Sequence, residues 1–417
     1  MNLWLRTLKT ELIIEFSLRI SASFPPLHFE KFCPKMAEKN MTGSLIRLNQ
    51  MIFRTQPKNQ FTVHCSQFTR ISVIAALLLA VAIPTQAQKP YRTGTTTANF
   101  LEIGYGAAGN AMGDAFVSLA SDPSAIYWNP AGLGYLENTQ LLAMSQPWIA
   151  GISTNFVGFS MHRENFGTFG LGFISASYGA EDVTTVFFPE GTGESFDGQD
   201  VAVSLSYSRR LVDWFSFGVS GKFISSRIWH ESGSAAAIDL GAIVNTNFLS
   251  RTGRPGDGLN IGMSISNYGT RMSFSGIDLK RPIDIQPDED GNFATTPALY
   301  ELEGWELPLI FRLGTSFHVI SSRTQRLTVA VDALHPNNNS ESLNLGAQYT
   351  FELPSFGQLQ LRGGYKGVYL VDSEYGASFG FGLKIYYFNN KSLNIDYSYR
   401  EVGLLGKMQA YSLSFVF

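Results

Sequence analysis

The sequence predicts an all-β fold: a transmembrane antiparallel β-barrel of about fourteen strands. Three observations carry this expectation. From about residue 138 onward apolar and polar residues alternate with period two. Charges in the middle of these segments fall on the face opposite the apolar row. The chain then ends on an alternating segment closed by an aromatic residue, Phe417. Composition agrees. Of 417 residues, 44% are apolar, 13% aromatic and 16% charged, with 31 Lys+Arg, 34 Asp+Glu and 40 glycines. So little charge with so many aromatics argues against disorder. A net charge of −3 gives no basic surplus for nucleic acid.

One apolar run stands apart. Residues 71–83 (ISVIAALLLAVAI) are too few to cross a bilayer as a helix and suit the core of a signal peptide. Arg70 precedes the run, and Thr85 and Ala87 supply small residues for cleavage before Gln88. The expected organisation follows. Residues 1–70 form an N-terminal extension, disordered or arising from a start placed too far upstream, with Met36, Met41 and Met51 as internal candidates. Residues 71–87 are the signal core and cleavage site, 88–137 the N-terminal lumen segment, and 138–417 the barrel. Removing 1–87 would leave 21 basic and 30 acidic groups, net −9, and no cysteine, since Cys33 and Cys65 lie in the prefix. A chain without cysteine has no disulfide framework, no Cys-ligated zinc and no thiol nucleophile.

The strand segments start near 138, 152, 165, 199, 213, 234, 257, 306, 325, 342, 357, 375, 391 and 408. In 391–400, Leu393, Ile395, Tyr397 and Tyr399 share one face, and Asn394, Asp396, Ser398 and Arg400 the other. In 378–387, Phe379, Phe381, Leu383 and Ile385 alternate with Ser378, Gly380, Gly382 and Lys384. Most segments reach the roughly ten residues that a tilted strand needs to span a bilayer. Short connections (162–165, 210–213, 321–325, 353–357, 388–391) contrast with long ones (179–198, 267–305), as short periplasmic turns and longer outer loops require. The connection at 246–257 is long for a periplasmic turn.

Parity sorts the charges. Lys222, Asp239, Arg312, Asp332, Arg362, Lys366, Lys384, Asp396 and Arg400, together with His318, lie opposite the apolar row. In a soluble sandwich that face is solvent; in a membrane barrel it is the lumen. The chain's end favours the barrel: Tyr411, Leu413, Phe415 and Phe417 line one face of the last segment and resemble the assembly signal of bacterial outer-membrane barrels. The mixed signs of the lumen charges suit pairing across strands in a packed interior better than a selective pore. A polar path for a substrate is the alternative.

Residues 98–135 differ from the rest. They contain GAAGNAMGDAF (106–116), SDPSAIYWNPAGL (121–133) and, later in the chain, ELPLIFRLG (306–314). Small residues suggest a short helix from Ala107 to Leu119, ended by Asp122-Pro123, with Asn129-Pro130 leading to the first strand. On these motifs the chain resembles the FadL-type transport barrels, and more closely the PorV/PorQ family of outer-membrane proteins. The resemblance implies a monomeric fourteen-strand barrel in the bacterial outer membrane with a short N-terminal helical segment inserted in the lumen, where Gly104, Gly106, Gly109, Asn129 and Pro130 would lie. It also implies a non-enzymatic role. PorV-like members serve type IX secretion as accessory or cargo-shuttle components, while FadL-like members carry hydrophobic molecules inward. No apolar ligand box stands out in the lumen segment, so the secretion role is the expectation. Uptake of hydrophobic small molecules is the alternative, and a purely structural barrel is a third reading.

The expected partners are outer-membrane lipid, the barrel-assembly machinery, and secretion components or secreted cargo. No cofactor and no metal are expected. Gly104–Gly109 fits G-x-G-x-x-G but lacks the βαβ unit of a dinucleotide site; small residues that let a helix approach the barrel wall explain it better. Gly376–Gly380 fits G-x-S-x-G but lies inside a strand pattern rather than at a strand–turn–helix elbow. Residues 288–292 (DEDGN) form an acidic loop tip without the spacing of a Ca²⁺ loop. Trp305 and Phe187-Phe188 are candidates for an outer apolar patch or an interfacial girdle.

Overall fold

The computed structural model describes residues 92–417 apart from 251, 254–255, 290–294, 355, 371–372 and 388–390. The expected extension, signal core and cleavage site lie outside the described residues, as does the Asp290–Asn292 part of the acidic tip. Seventeen strands are described: β1 (Gln140–Pro147), β2 (Ser153–Arg163), β3 (Gly167–Asp182), β4 (Ser195–Val212), β5 (Phe215–Ile228), β6 (Glu231–Asn245), β7 (Asn260–Gly269), β8 (Phe274–Gly276), β9 (Lys280–Ile283), β10 (Thr296–Leu299), β11 (Ile310–Ser321), β12 (Gln325–Pro336), β13 (Ser342–Leu353), β14 (Gly357–Val368), β15 (Ala377–Tyr387), β16 (Lys391–Glu401) and β17 (Lys407–Val416). Fourteen long strands, β1–β7 and β11–β17, pair antiparallel in chain order. β7 hydrogen-bonds to β11 across the 270–309 connection, and β17 pairs with β1 from Gln140↔Val416 to Ser145↔Tyr411, closing the cylinder. Closure satisfies both edges, which a sheet surrounded by acyl chains must do.

The period-two pattern resolves into two surfaces. On β4, Leu205 is 66% exposed while Ser206 beside it is 1% exposed. Outward positions on neighbouring strands carry Phe169, Leu171, Phe173, Val203, Phe217, Phe223, Phe379, Phe381 and Leu413, all exposed. Such a continuous apolar exterior would be insoluble in water and is stable against acyl chains. The chain is therefore an outer-membrane barrel, and the stacked-sheet alternative is excluded by the closed ring. Of the terminal residues, Tyr411, Leu413 and Phe417 lie on the outside of the barrel, and Phe415 shares their outward register and is half-buried.

An even strand number brings both ends of the barrel chain to one rim. That rim carries the tight connections at 164–166, 213–214 and 322–324, so it is periplasmic. The 246–259 connection on this rim is long, and it closes on itself through Thr246 N–H to the Leu259 carbonyl (3.1 Å) and Leu259 N–H to the Phe248 carbonyl (2.8 Å). The opposite rim is oblique. β3 and β4 have 16 and 18 residues against 8 in β1, so the β3–β6 side stands beyond the apolar band.

This orientation has a consequence for the N-terminus. Thr96 bridges to Glu306 and Thr97 N–H donates to the Glu306 carbonyl (3.0 Å), at the end of the outer 270–309 connection. The segment then descends through the lumen and meets β1 at the periplasmic rim. Residue 95 should therefore be reachable from outside the cell. In a background with Cys33 and Cys65 replaced, a membrane-impermeant maleimide should label Thr95→Cys on intact cells, and should label Glu164→Cys only after the outer membrane is permeabilised.

Candidate functional site

The lumen is occupied by residues 99–136. They form a 3₁₀ turn (Asn99–Glu102), helix α1 (Ala107–Ala111), helix α2 (Ala125–Trp128) and a second 3₁₀ turn (Pro130–Tyr135). The helix expected from Ala107 to Leu119 stops at Ala111. Gly113 and Asp114 both have φ of 65°, which an α-helix cannot contain. A Cβ on Gly113 would strike the backbone of Tyr365 and Leu345, so glycine lets the turn lie directly on the wall. The small residues of the Gly104–Gly109 motif let helix α1 lie against the barrel wall, where Ala107 N–H meets Ser412 Oγ (2.9 Å). Its glycines also make room inside the plug: a Cβ on Gly109 would lie 2.8 Å from the Trp128 indole.

The outer half of the plug has an aromatic core. Tyr105 and Tyr127 meet edge-on at 5.1 Å, Tyr127 and Trp128 at 4.9 Å, and Phe116 and Trp128 at 6.2 Å. Trp128 Nε1 donates to the Tyr105 carbonyl (2.7 Å), which removes the cost of burying that N–H. Facing these rings, the outer half of the inner β2–β6 wall carries an apolar set, Phe156, Ile174, Ala176, Ala202, Ile224, Ala235 and Ala237, all buried, with Asp200, Ser204 and Ser226 among them. The apolar set that no local box revealed is thus spread over five strands and the plug. Asn129 ties it down. Its Nδ2 donates to the Val117 carbonyl (2.9 Å) and the Ala242 carbonyl (3.2 Å), and its Oδ1 accepts from Ala131 N–H (3.1 Å). Pro130 opens the second 3₁₀ turn, where its missing N–H costs nothing.

The wall also carries polar anchors and braces. Asp332 Oδ2 accepts two backbone N–H bonds, from Phe116 (2.8 Å) and Val117 (2.9 Å). Asp114, on the plug, is held between Arg400 and Lys366, the latter at 2.7 Å. Arg400 also donates to the Asn110 carbonyl (2.8 Å). Arg312 donates to Ser266 Oγ (2.9 Å) and lies over the Tyr127 ring at 5.5 Å. Lys222 and Asp239 pair at 2.6 Å, fully buried, and brace the β6–β7 irregularity through Asn267. Ser378, of the G-x-S-x-G stretch, lies in β15 and donates to the Ala111 carbonyl (3.2 Å).

Arg362, Asp396, Lys384 and His318 come together elsewhere. They line a cavity of about 440 Å³ in the periplasmic half of the barrel, beneath plug residues Phe116 and Asp122. Arg362 pairs with Asp396 (2.6 Å), His318 Nδ1 lies 2.8 Å from Thr328 Oγ1, and Lys384 lies 5.6 Å from the Tyr386 ring. The charges thus divide three ways, into plug anchors, a wall brace and a cavity lining. Strand-to-strand pairing accounts for only Lys222–Asp239 and Arg362–Asp396. Asp114 was not singled out by sequence reasoning. A Gly-Asp pair interrupting a small-residue helix pattern was the signal for it, because a carboxylate in such a segment needs cations from elsewhere.

No protein-family model matches the chain, and no curated protein matches it. Several solved outer-membrane barrels are similar to it at low identity. The Ralstonia pickettii toluene transporter TbuX shares 11% identity with a TM-score of 0.44, over 75% of this chain and 97% of that one. A Pseudomonas aeruginosa FadL homologue shares 13% identity with a TM-score of 0.42, over 79% and 99%. The Pseudomonas putida toluene transporter TodX shares 14% identity with a TM-score of 0.43, over 75% and 96%. What places the present chain in a membrane is its own closed sheet and apolar exterior.

Two predictions test the plug. Asp332→Ala strands two buried N–H groups, at about 1–3 kcal/mol each. Planar-bilayer recordings should then show channel openings that the unmodified protein lacks, while the barrel keeps its heat-resistant migration on gels. At the outer mouth, Arg92 donates to Glu306 (2.7 Å) and, with Arg271 adding to it, holds that exposed carboxyl below the usual glutamate range. A depressed folded value means that the clamp is intact above the ordinary glutamate range and is lost as the pH falls through the lowered value. A spin label at Thr95 should therefore be immobile at neutral pH and gain mobility only at pH values below the ordinary glutamate range. In Arg92→Ala the same label should be mobile at neutral pH.

Proposed function

We propose that the chain is a plugged, non-enzymatic outer-membrane channel for the uptake of hydrophobic small molecules. The observation that carries this reading is the apolar inner wall of β2–β6. A pore for polar solutes gains nothing from Phe156, Ile174 and Ile224 in its lumen, and each needs an apolar cover to stay out of water. The cover is now the Tyr105, Tyr127 and Trp128 rings of the plug. A hydrophobic solute could replace part of that cover.

The two long outer connections suit capture of such a solute. Val186, Phe187 and Phe188 stand 94%, 88% and 60% exposed on 183–194, and Ile285, Leu299, Tyr300 and Leu302 are exposed on 270–309. The same exposed tip favours a second reading. A Val-Phe-Phe projection suits a protein partner, as a secretion accessory of PorV type would need.

The test is uptake by cells lacking their own hydrophobic-solute barrel. Expression of the chain should raise entry of a labelled long-chain fatty acid or toluene several-fold and leave entry of a polar sugar unchanged. Phe187→Ser/Phe188→Ser should reduce that gain. If neither hydrophobe enters faster, and purification from outer membranes instead recovers secreted proteins in a Phe187-dependent way, the second reading replaces the first.

A further inference from the structure

The apolar residues inside β2–β6 are in register. Phe156, Ile174, Ala202, Ile224 and Ala235 form one row across the five strands. The next inward row toward the outer mouth, two residues or about 7 Å along each strand, reads Thr154, Ala176, Asp200, Ser226 and Gly233. Asp200 therefore stands at the outer edge of the surface that a hydrophobic solute would cover. It is 7% exposed, and no Lys, Arg or His pairs with it among the described residues.

A carboxyl in such surroundings needs hydrogen bonds. Tyr178 supplies one: its hydroxyl donates to Asp200 Oδ2 (2.5 Å). A β-bulge places it. Ser177 faces Gln199 and Ala180 faces Asp197, so Tyr178 and Gly179 together oppose Gly198. A Cβ on Gly198 would lie 3.2 Å from the Tyr178 ring, so glycine there leaves the ring its room. Tyr178 is 38% exposed, so its phenol reaches Asp200 from the mouth rather than from the packed interior. Across the strand pair on the other side, Ser226 Oγ is buried and makes no hydrogen bond of normal geometry. A hydroxyl group is the one simple function that donates to a carboxyl and accepts from a serine at once.

We propose that Asp200, with Ser226, selects hydrophobic solutes that end in a hydroxyl, alcohols and phenols. The solute hydroxyl exchanges with that of Tyr178, and the apolar body lies on the Ile174, Ala202 and Ile224 row. This rests on the uptake reading and narrows it. Exchange of one hydroxyl for another keeps the carboxyl hydrogen-bonded throughout, whereas a hydrocarbon that displaces Tyr178 leaves it unpaired.

The test uses cells that lack their own hydrophobic-solute barrel and express the full chain. Labelled dodecanol, dodecyl methyl ether and dodecane are supplied below saturation, and initial entry rates are compared with those of cells without the chain. The gain should be about tenfold larger for dodecanol than for dodecane, as one hydrogen bond to a carboxylate implies, with the ether well below the alcohol. Asp200→Ala should bring the dodecanol gain down to that of dodecane. Tyr178→Phe removes the competing hydroxyl and should raise the dodecanol gain, which loss of a merely structural contact would not do. Glu401→Gln, an exposed carboxyl at the outer end of β16, should leave the preference intact. Heat-resistant migration on gels checks that each variant barrel has folded. Equal gains for dodecanol and dodecane in the unmodified protein overturn the proposal and leave the uptake reading standing; no gain for any of the three overturns both. An ether that enters as fast as the alcohol overturns the hydroxyl assignment, and so does a dodecanol gain that Tyr178→Phe fails to raise.

Discussion

The plug brings an irregular backbone into a space largely closed to water, and every feature of the lumen answers to that. Residues 99–136 contain two helices of five and four residues and two 3₁₀ turns, so many of their N–H and C=O groups have no partner within the segment. Each one left unpaired would cost about 1–3 kcal/mol. The wall supplies the missing partners. Ser412 Oγ accepts from Ala107 N–H (2.9 Å), Ser378 donates to Ala111, and Ser208 and Ser216 both donate to the Ala131 carbonyl (3.2 and 2.8 Å). Four inward serines, Ser208, Ser216, Ser378 and Ser412, therefore supply part of the plug's hydrogen bonding. A lumen of alanine would have closed equally well as a sheet and left the plug without anchorage.

Charges add position rather than cohesion. A buried ion pair gains little over a well-packed apolar pair, because desolvation offsets the attraction, but breaking one side of it is costly. Asp114 has two cations, one from β14 and one from β16, so sliding the plug along the barrel would strip it of at least one. Asp332 acts similarly from β12 on Phe116 and Val117. Four wall residues that grip the plug by charge, Arg312, Asp332, Lys366 and Arg400, lie on β11–β16, and Arg210 of β4 lies over the plug's Tyr135 ring near the periplasmic rim.

The parts legible in the sequence were those encoded by near neighbours. Fourteen strands and the two faces of each followed from period two, since parity is fixed by adjacent residues and survives any loop length; which face is inward needed the terminal segment as well. The long 246–259 turn was visible as an exception and is one. The plug was legible as a segment but not as a shape. Its helix pattern ran through Gly113-Asp114, and the turn there depends on backbone approach to Tyr365, some 250 residues away in the chain. The destinations of the charges were hidden for the same reason. Lys366 and Arg400 read as strand partners until Asp114 is placed between them. The apolar inner wall was hidden because each strand contributes only one or two residues to it, and no window along the chain gathers them.

These two modes of contact make the plug asymmetric in how it can move. Toward β11–β16 it is fixed by charge-assisted hydrogen bonds, which are directional and fail within a fraction of an ångström to an ångström of displacement. Toward the outer half of β2–β6 it rests on rings against Ile174, Ile224 and small alanines, a contact that depends on area and tolerates sliding. A displacement that keeps the first set and yields at the second costs less than the reverse. The side that yields is the apolar one. The acidic and basic anchors and the apolar ring contacts thereby lie largely on different sides of one cylinder, while Ser208, Ser216 and the Ala242 carbonyl hold the inner end of the plug from β4–β6.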